Sequence, residues 1–216
     1  MNEHSEARPQ SIIRHLTGVV LYVVLFGILL FVPAWTLKWR RAWILLAVLL
    51  IVRTAGVVSV LRVNGGVLRE RSKLPLQQGQ PLADKLLLPL FMAAFAGLVA
   101  FNSLDLFRFH LMATPNAVVS AAGLVLFAAG WWLVTVALRT NAFASTVVRH
   151  QDERQHSLID TGVYRVVRHP MYAGLVPVMV GMSLWLGSYA AALLAAVPIG
   201  ILILRIAIEE QVLQQS

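Results

Sequence analysis

Residues 161–174 read TGVYRVVRHPMYAG, and further along the chain the segment 205–210 reads RIAIEE. Arg168, His169, Pro170 and Tyr172 stand where a polar stretch gives way to an apolar one. Arg205, Glu209 and Glu210 stand where the next apolar stretch ends. Ionisable groups at such boundaries are costly in an apolar chain and mark a site by default. Pro170 suits the first position of a helix, where its missing N–H is no loss. His169 then falls at the N-cap, and Arg168 and His169 lie at the positive end of the helix dipole, which favours an anion such as a carboxylate or phosphate. Tyr172 falls on the first turn, where it also fits an aromatic belt at a membrane interface. Gly174 leaves room for a partner helix or a flat ligand. Arg205 precedes Glu209 by one helical turn, so the two share a face and could form a helix-end ion pair. A short hairpin would bring Glu209 and Glu210 back to the level of Arg168 and His169. Cationic and anionic groups together suit a zwitterion with an amino-acid head group.

The elements that must hold these residues are apolar. The chain has 216 residues, of which 58% are hydrophobic and 13% charged. Soluble domains carry roughly a quarter charged residues. The mean hydropathy is +0.74. The apolar residues fall into six runs, at 16–35, 42–61, 86–102, 117–138, 172–186 and 189–208. Roughly 20 apolar residues span a bilayer as a helix. Period-2 alternation is absent, so the pattern predicts an all-α, polytopic transmembrane helical bundle. The fifth run is short and is separated from the sixth by Gly187 and Ser188, which predicts a C-terminal helical hairpin. Residues 1–140 read as N-terminal transmembrane helices with a polar loop. Residues 141–216 read as a second polar loop, partly ordered by ligand, and that hairpin, the whole forming one membrane domain. Within the loop 62–85, Gly65, Gly66, Pro75 and Pro81 predict a break, with a short interfacial helix over 67–73. Arg53, inside the second run, reads either as a snorkelling or paired cation or, with a slight preference, as the lining of a cavity.

Charge orients the bundle. The formal net charge is +8. With the N-terminus in the cytoplasm, Arg8, Arg14, Arg62, Arg69, Arg71, Lys73, Lys85, Arg139, Arg149, Arg154, Arg165 and Arg168 fall inside. Lys38, Arg40, Arg41 and Arg108 fall outside. The positive-inside rule therefore places both termini in the cytoplasm, in the manner of a bacterial inner-membrane protein. The N-terminal segment has no signal-peptide pattern, so the first apolar run is expected to be a retained span. A nucleic-acid partner is not indicated, because the basic residues separate apolar runs and form no binding motif. The chain has no cysteine, which removes thiolate metal sites and cysteine nucleophiles. His150, His156 and His169 lack matching ligand spacing, so no metal is expected. Ser145, Ser157 and Ser188 have no nucleophile-elbow context. No Gly-rich phosphate loop follows a strand pattern.

The segments TGVYRVVRHPMYAG and RIAIEE resemble the isoprenylcysteine carboxyl methyltransferase family, a group of integral membrane methyltransferases related to phospholipid methyltransferases and, more distantly, to sterol reductases. The resemblance covers residues 141–213, and NGGVLRER followed by LADK resembles an upstream loop of bacterial members. An RHPxYxG and an RxxxEE at this separation form a fairly specific pair. Val163 stands where proline is frequent in the family, and many members continue beyond the QVLQQS that follows Glu210 with a polar, tyrosine-containing tail. The resemblance implies S-adenosylmethionine as cofactor and a lipophilic or prenylated acceptor entering from the bilayer. Carried over by position, Tyr164, Arg168, His169, Pro170, Tyr172 and Glu210 would bind the cofactor, with Gly162 shaping the loop over it. Arg205, Glu209 and Glu210 would serve the reaction. Methylation of a carboxylate, as in isoprenylcysteine, is the favoured expectation. A phospholipid N-methyltransferase, an NADPH-dependent sterol-type reductase and a non-enzymatic membrane protein are the alternatives. Oligomeric state is not legible.

Overall fold

The computed structural model describes residues 3–71, 80–141 and 161–214. Among them there is no strand, and the order is α1 (Glu3–Ala34), α2 (Arg40–Arg71), α3 (Leu82–Leu104), a π-helical turn (Asp105–Phe109) and α4 (Ala117–Thr140). A 3₁₀ turn (Gly162–Arg165), α5 (Pro170–Leu186), α6 (Tyr189–Leu194) and α7 (Ala196–Gln214) follow. Five stretches are long and apolar enough to cross a membrane: Ile12–Ala34, Arg40–Val63, Leu82–Phe109, Ala117–Thr140 and Tyr189–Gln211. The all-helical membrane bundle expected from the apolar runs is therefore observed. The 17-residue α5 is about 26 Å long at 1.5 Å per residue, slightly less than a hydrocarbon core of about 30 Å.

In lipid the packing of helices relies on close backbone approach, since burying apolar surface gains little there. The tightest contact is that of α4 with α5, which run antiparallel. Gly130 opposes Gly174, and Gly123 opposes Gly181. A Cβ on Gly130 would lie 2.5 Å from the Gly174 carbonyl oxygen, and one on Gly181 would lie 2.5 Å from that of Gly123. Each helix thus offers a glycine every seven residues, and the two stripes face each other. Gly174 serves a partner helix, the first of the two uses its position suggests. Elsewhere α2 packs on α4, α1 on α2 and α3, and α7 on α3. Polar side chains bind backbone or one another across these contacts: Ser103 Oγ donates to the Leu30 carbonyl at 2.6 Å, and Asn102 Nδ2 lies 3.4 Å from Ser183 Oγ.

Two details depart from expectation. Helix α2 runs through Gly65 and Gly66 to Arg71, so no separate helix begins at 67. Glycine costs a helix interior about 1 kcal/mol each, and the full burial of Val67 offsets much of this. The sixth span is two helices. Pro198 lacks the N–H that would bind the Leu194 carbonyl, and α6 ends there. The bend lets α6 stay with α5 while α7 crosses to α3. Arg53 lies between aromatic faces, its guanidinium carbon 4.4 Å from the Trp131 ring centroid and 5.4 Å from that of Tyr22. Cation–π attraction of this kind is strongest when the pair is desolvated.

The end of the bundle opposite His169 is latched. Asp105 is buried and accepts from the Leu111 N–H at 2.9 Å and from Ser188 Oγ at 2.6 Å. Ser188 also caps α6 by accepting from Ala191 N–H at 2.8 Å. The turn before it needs Gly187, whose φ is +104°. Arg41 and Trp185 close the same end, the indole donating to the Arg41 carbonyl at 2.8 Å. These contacts fix the far end of the α5–α6 hairpin and hence the height of α5.

Candidate functional site

Helix α5 starts as its sequence dictates: His169 is the N-cap and Pro170 the first helical residue. The His169 ring does not cap its own helix. It reaches across to α7, where Nε2 lies 3.2 Å from Oε1 of Glu210 and Nδ1 lies 3.9 Å from Oε2 of Glu209. Tyr172, one turn into α5 and largely buried, donates its hydroxyl to Oε2 of Glu209 at 3.0 Å. The imidazole and phenol rings stack, with centroids 5.9 Å apart and planes inclined by 24°. Two rings from α5 are thus held by two carboxylates from α7, residues some forty positions away in the chain. The imidazole is only 17% exposed, whereas the carboxylates of Glu209 and Glu210 are 34% and 43% exposed. The acids form the open lip of the cluster and the rings its wall.

Arg205 does something the helical spacing does not indicate. Its guanidinium turns to α3, with Nε donating to Oδ1 of Asp84 at 2.8 Å, while Gln80 donates to Oδ2 at 2.7 Å. Arg205 is 4% exposed and Asp84 is fully buried. The Arg205–Glu209 pair that one-turn spacing would allow gives way to this one: Tyr172 holds Glu209, and Asp84 lies on the facing helix. Arg205 still borders the cluster, its guanidinium carbon 5.9 Å from the Tyr172 ring centroid. Asp84 and Gln80 were not singled out as site residues by sequence. The only signal was Asp84 in the LADK segment, an acid just ahead of the third apolar run.

The remaining candidates are placed as follows. Tyr164 lies half-buried in the 3₁₀ turn that precedes α5, and Arg168 is exposed. Pro170 is buried. Gly162 adopts φ +56°, the left-handed region that favours glycine, beside Thr140 at the end of α4. His150, His156, Ser145, Ser157, Arg149 and Arg154 lie outside the described residues. Among the described residues no group of three His, Asp or Glu side chains could hold a metal ion.

A family model described as phospholipid methyltransferase matches residues 118–216. No curated protein and no solved structure matches the chain. The matched residues cover α4 to α7, and so include the whole His169–Tyr172–Glu209–Glu210 cluster, while Asp84 and Gln80 fall before them. The match agrees with the resemblance carried by TGVYRVVRHPMYAG and RIAIEE. It points to an integral membrane methyltransferase related to the phospholipid methyltransferases.

Proposed function

We propose that the chain transfers a methyl group from S-adenosylmethionine to a lipophilic acceptor, with the donor held at the His169–Glu210 end of the bundle. The carrying observation is the pairing of His169 and Tyr172 with Glu210 and Glu209, which sets two partly exposed carboxylates beside the start of α5. This donor set fits the amino-acid end of the cofactor: Glu209 and Glu210 would face its ammonium, and the positive end of α5 with Arg168 would face its carboxylate. Tyr172 and His169 hold the glutamates in place and wall them from the apolar core. Tyr164 and Gly162, in the turn that leads into α5, would close over it. When bound, S-adenosylmethionine supplies an electrophilic methyl group on a sulfonium sulfur. The protein's part is to align the acceptor with that group and to exclude water.

Between acceptors, the arrangement favours an amine, such as a phospholipid head group, over a carboxylate. A carboxylate acceptor needs a cation to position it, and Arg205 is buried against Asp84. An ammonium acceptor needs a negative lip and a base. Glu209 and Glu210 provide the first, and a glutamate or His169 can take the proton that frees the nitrogen lone pair.

Calorimetry of the purified protein in detergent tests the first part. S-adenosylmethionine should bind, and the Glu210→Ala and His169→Ala variants should each lose at least about tenfold in affinity, the worth of one charge-assisted contact. Unchanged affinity in both variants, or binding of NADPH alone, would overturn the assignment. Incubation with methyl-labelled cofactor and a total lipid extract tests the second part. An amine product keeps its label through mild alkali, whereas a methyl ester releases it.

A further inference from the structure

We propose a second lipid site, an anionic phospholipid groove on the outer face of α2, separate from the His169–Glu210 cluster. A groove of about 880 Å³ runs along residues 50–63 of α2 and is closed at one end by Arg139 of α4. Its apolar wall is Ile51, Ala55 and Val58, which recur with helical spacing and share one face. Thirteen residue steps along α2 make a track of about 20 Å, the length of one extended acyl chain. Arg62 and Arg139 stand together at one end of this track, and both are exposed. Each lies one residue from the end of its membrane span, Arg40–Val63 and Ala117–Thr140. That is head-group depth, where a guanidinium binds phosphate oxygens in a forked geometry. Ser59 also lines the groove. It sits about 4.5 Å deeper than Arg62 along the helix, level with the ester carbonyls below a lipid phosphate. Among the described residues lining the groove, the charged ones are Arg62 and Arg139, both basic. Apolar track, hydroxyl and paired arginines follow the order of chain, ester and phosphate in a diacyl phospholipid with a net negative charge.

The test is native mass spectrometry of the full chain in detergent, with equimolar dimyristoyl phosphatidylglycerol and phosphatidylcholine and no cofactor. Phosphatidylglycerol should be retained preferentially. Arg62→Gln and Arg139→Gln should each lower its retention about fivefold, as one basic residue near an anionic lipid surface contributes. Arg165→Gln, on the same face but outside the groove, should leave it unchanged. Ala55→Trp keeps both arginines but fills the track, and should lower retention as well. Equal retention of the two lipids, no effect of the paired Arg62→Gln and Arg139→Gln changes, or displacement by equimolar inorganic phosphate would overturn the proposal. An unaltered melting midpoint in phosphatidylcholine shows that the variants are folded. Should the double variant fail that check, the single variants and Ala55→Trp decide.

Discussion

Arg205 and Asp84 form a buried ionic contact between α7 and α3. Both are buried, and the Asp84 carboxylate is satisfied on each oxygen, by Arg205 and by Gln80. The value of such a pair lies less in its net stability than in the penalty for breaking it. Removing one partner leaves an uncompensated charge and typically costs about 3–5 kcal/mol, whereas replacing both can be nearly neutral. Arg205→Met alone should therefore lower stability by roughly that amount, read as a shift in the denaturation midpoint in mild detergent. Asp84→Asn combined with Arg205→Met should recover most of the loss, because asparagine still accepts from Gln80. Additive losses would show that the two side chains do not act as a pair. The contact was hidden in the sequence for a plain reason. The partners are 121 positions apart, and the nearer acid, Glu209, offered a local explanation for Arg205. Local spacing shows which groups share a helical face. It does not show which facing helix competes for them.

At the level of elements, the antiparallel packing of α4 on α5 sets where His169 and Tyr172 stand. The contact is built on absent side chains. A Cβ on Gly130 would meet the backbone of Gly174 at 2.5 Å, and backbone cannot yield as a flexible side chain can. Gly130→Ala should push the helices apart and cost about 1–3 kcal/mol, the range for overpacking. Gly97→Ala, with nothing within 4 Å of the added carbon, should be neutral or stabilise α3 by up to about 1 kcal/mol through its higher helix propensity. Denaturation midpoints of the two variants, measured side by side, check the contrast; equal effects would remove the packing account. Much of this level was legible in the sequence. The apolar runs gave every span, Pro170 gave the start of α5, and Gly187 with Ser188 gave the hairpin turn. The continuity of α2 through Gly65 and Gly66 was not, since it rests on the tertiary burial of Val67. Nor was the bend of the sixth span, although Pro198 is the residue that makes it.

For the whole molecule, the division of labour between the two ends is the main result. One end is closed by Asp105 with Ser188 and by Trp185 with the Arg41 carbonyl. The other gathers the imidazole, phenol and carboxylates of the proposed site. Because the spans alternate, the ends of α2, α4 and α7 share the chemical end with the starts of α3 and α5. The basic residues are concentrated there too, and on the positive-inside rule we propose that this end faces the cytoplasm, where a water-soluble cofactor would reach it. The chain has no cysteine, so single introduced thiols report topology without background. Thr114→Cys, in the exposed segment between the π-helical turn and α4, should react with a membrane-impermeant maleimide added to intact cells. Arg165→Cys, exposed in the turn before α5, should react only after the membrane is opened. The reverse pattern would put the carboxylate lip on the outer surface, away from any cytoplasmic supply of S-adenosylmethionine, and would count against the proposed reaction as well as the orientation.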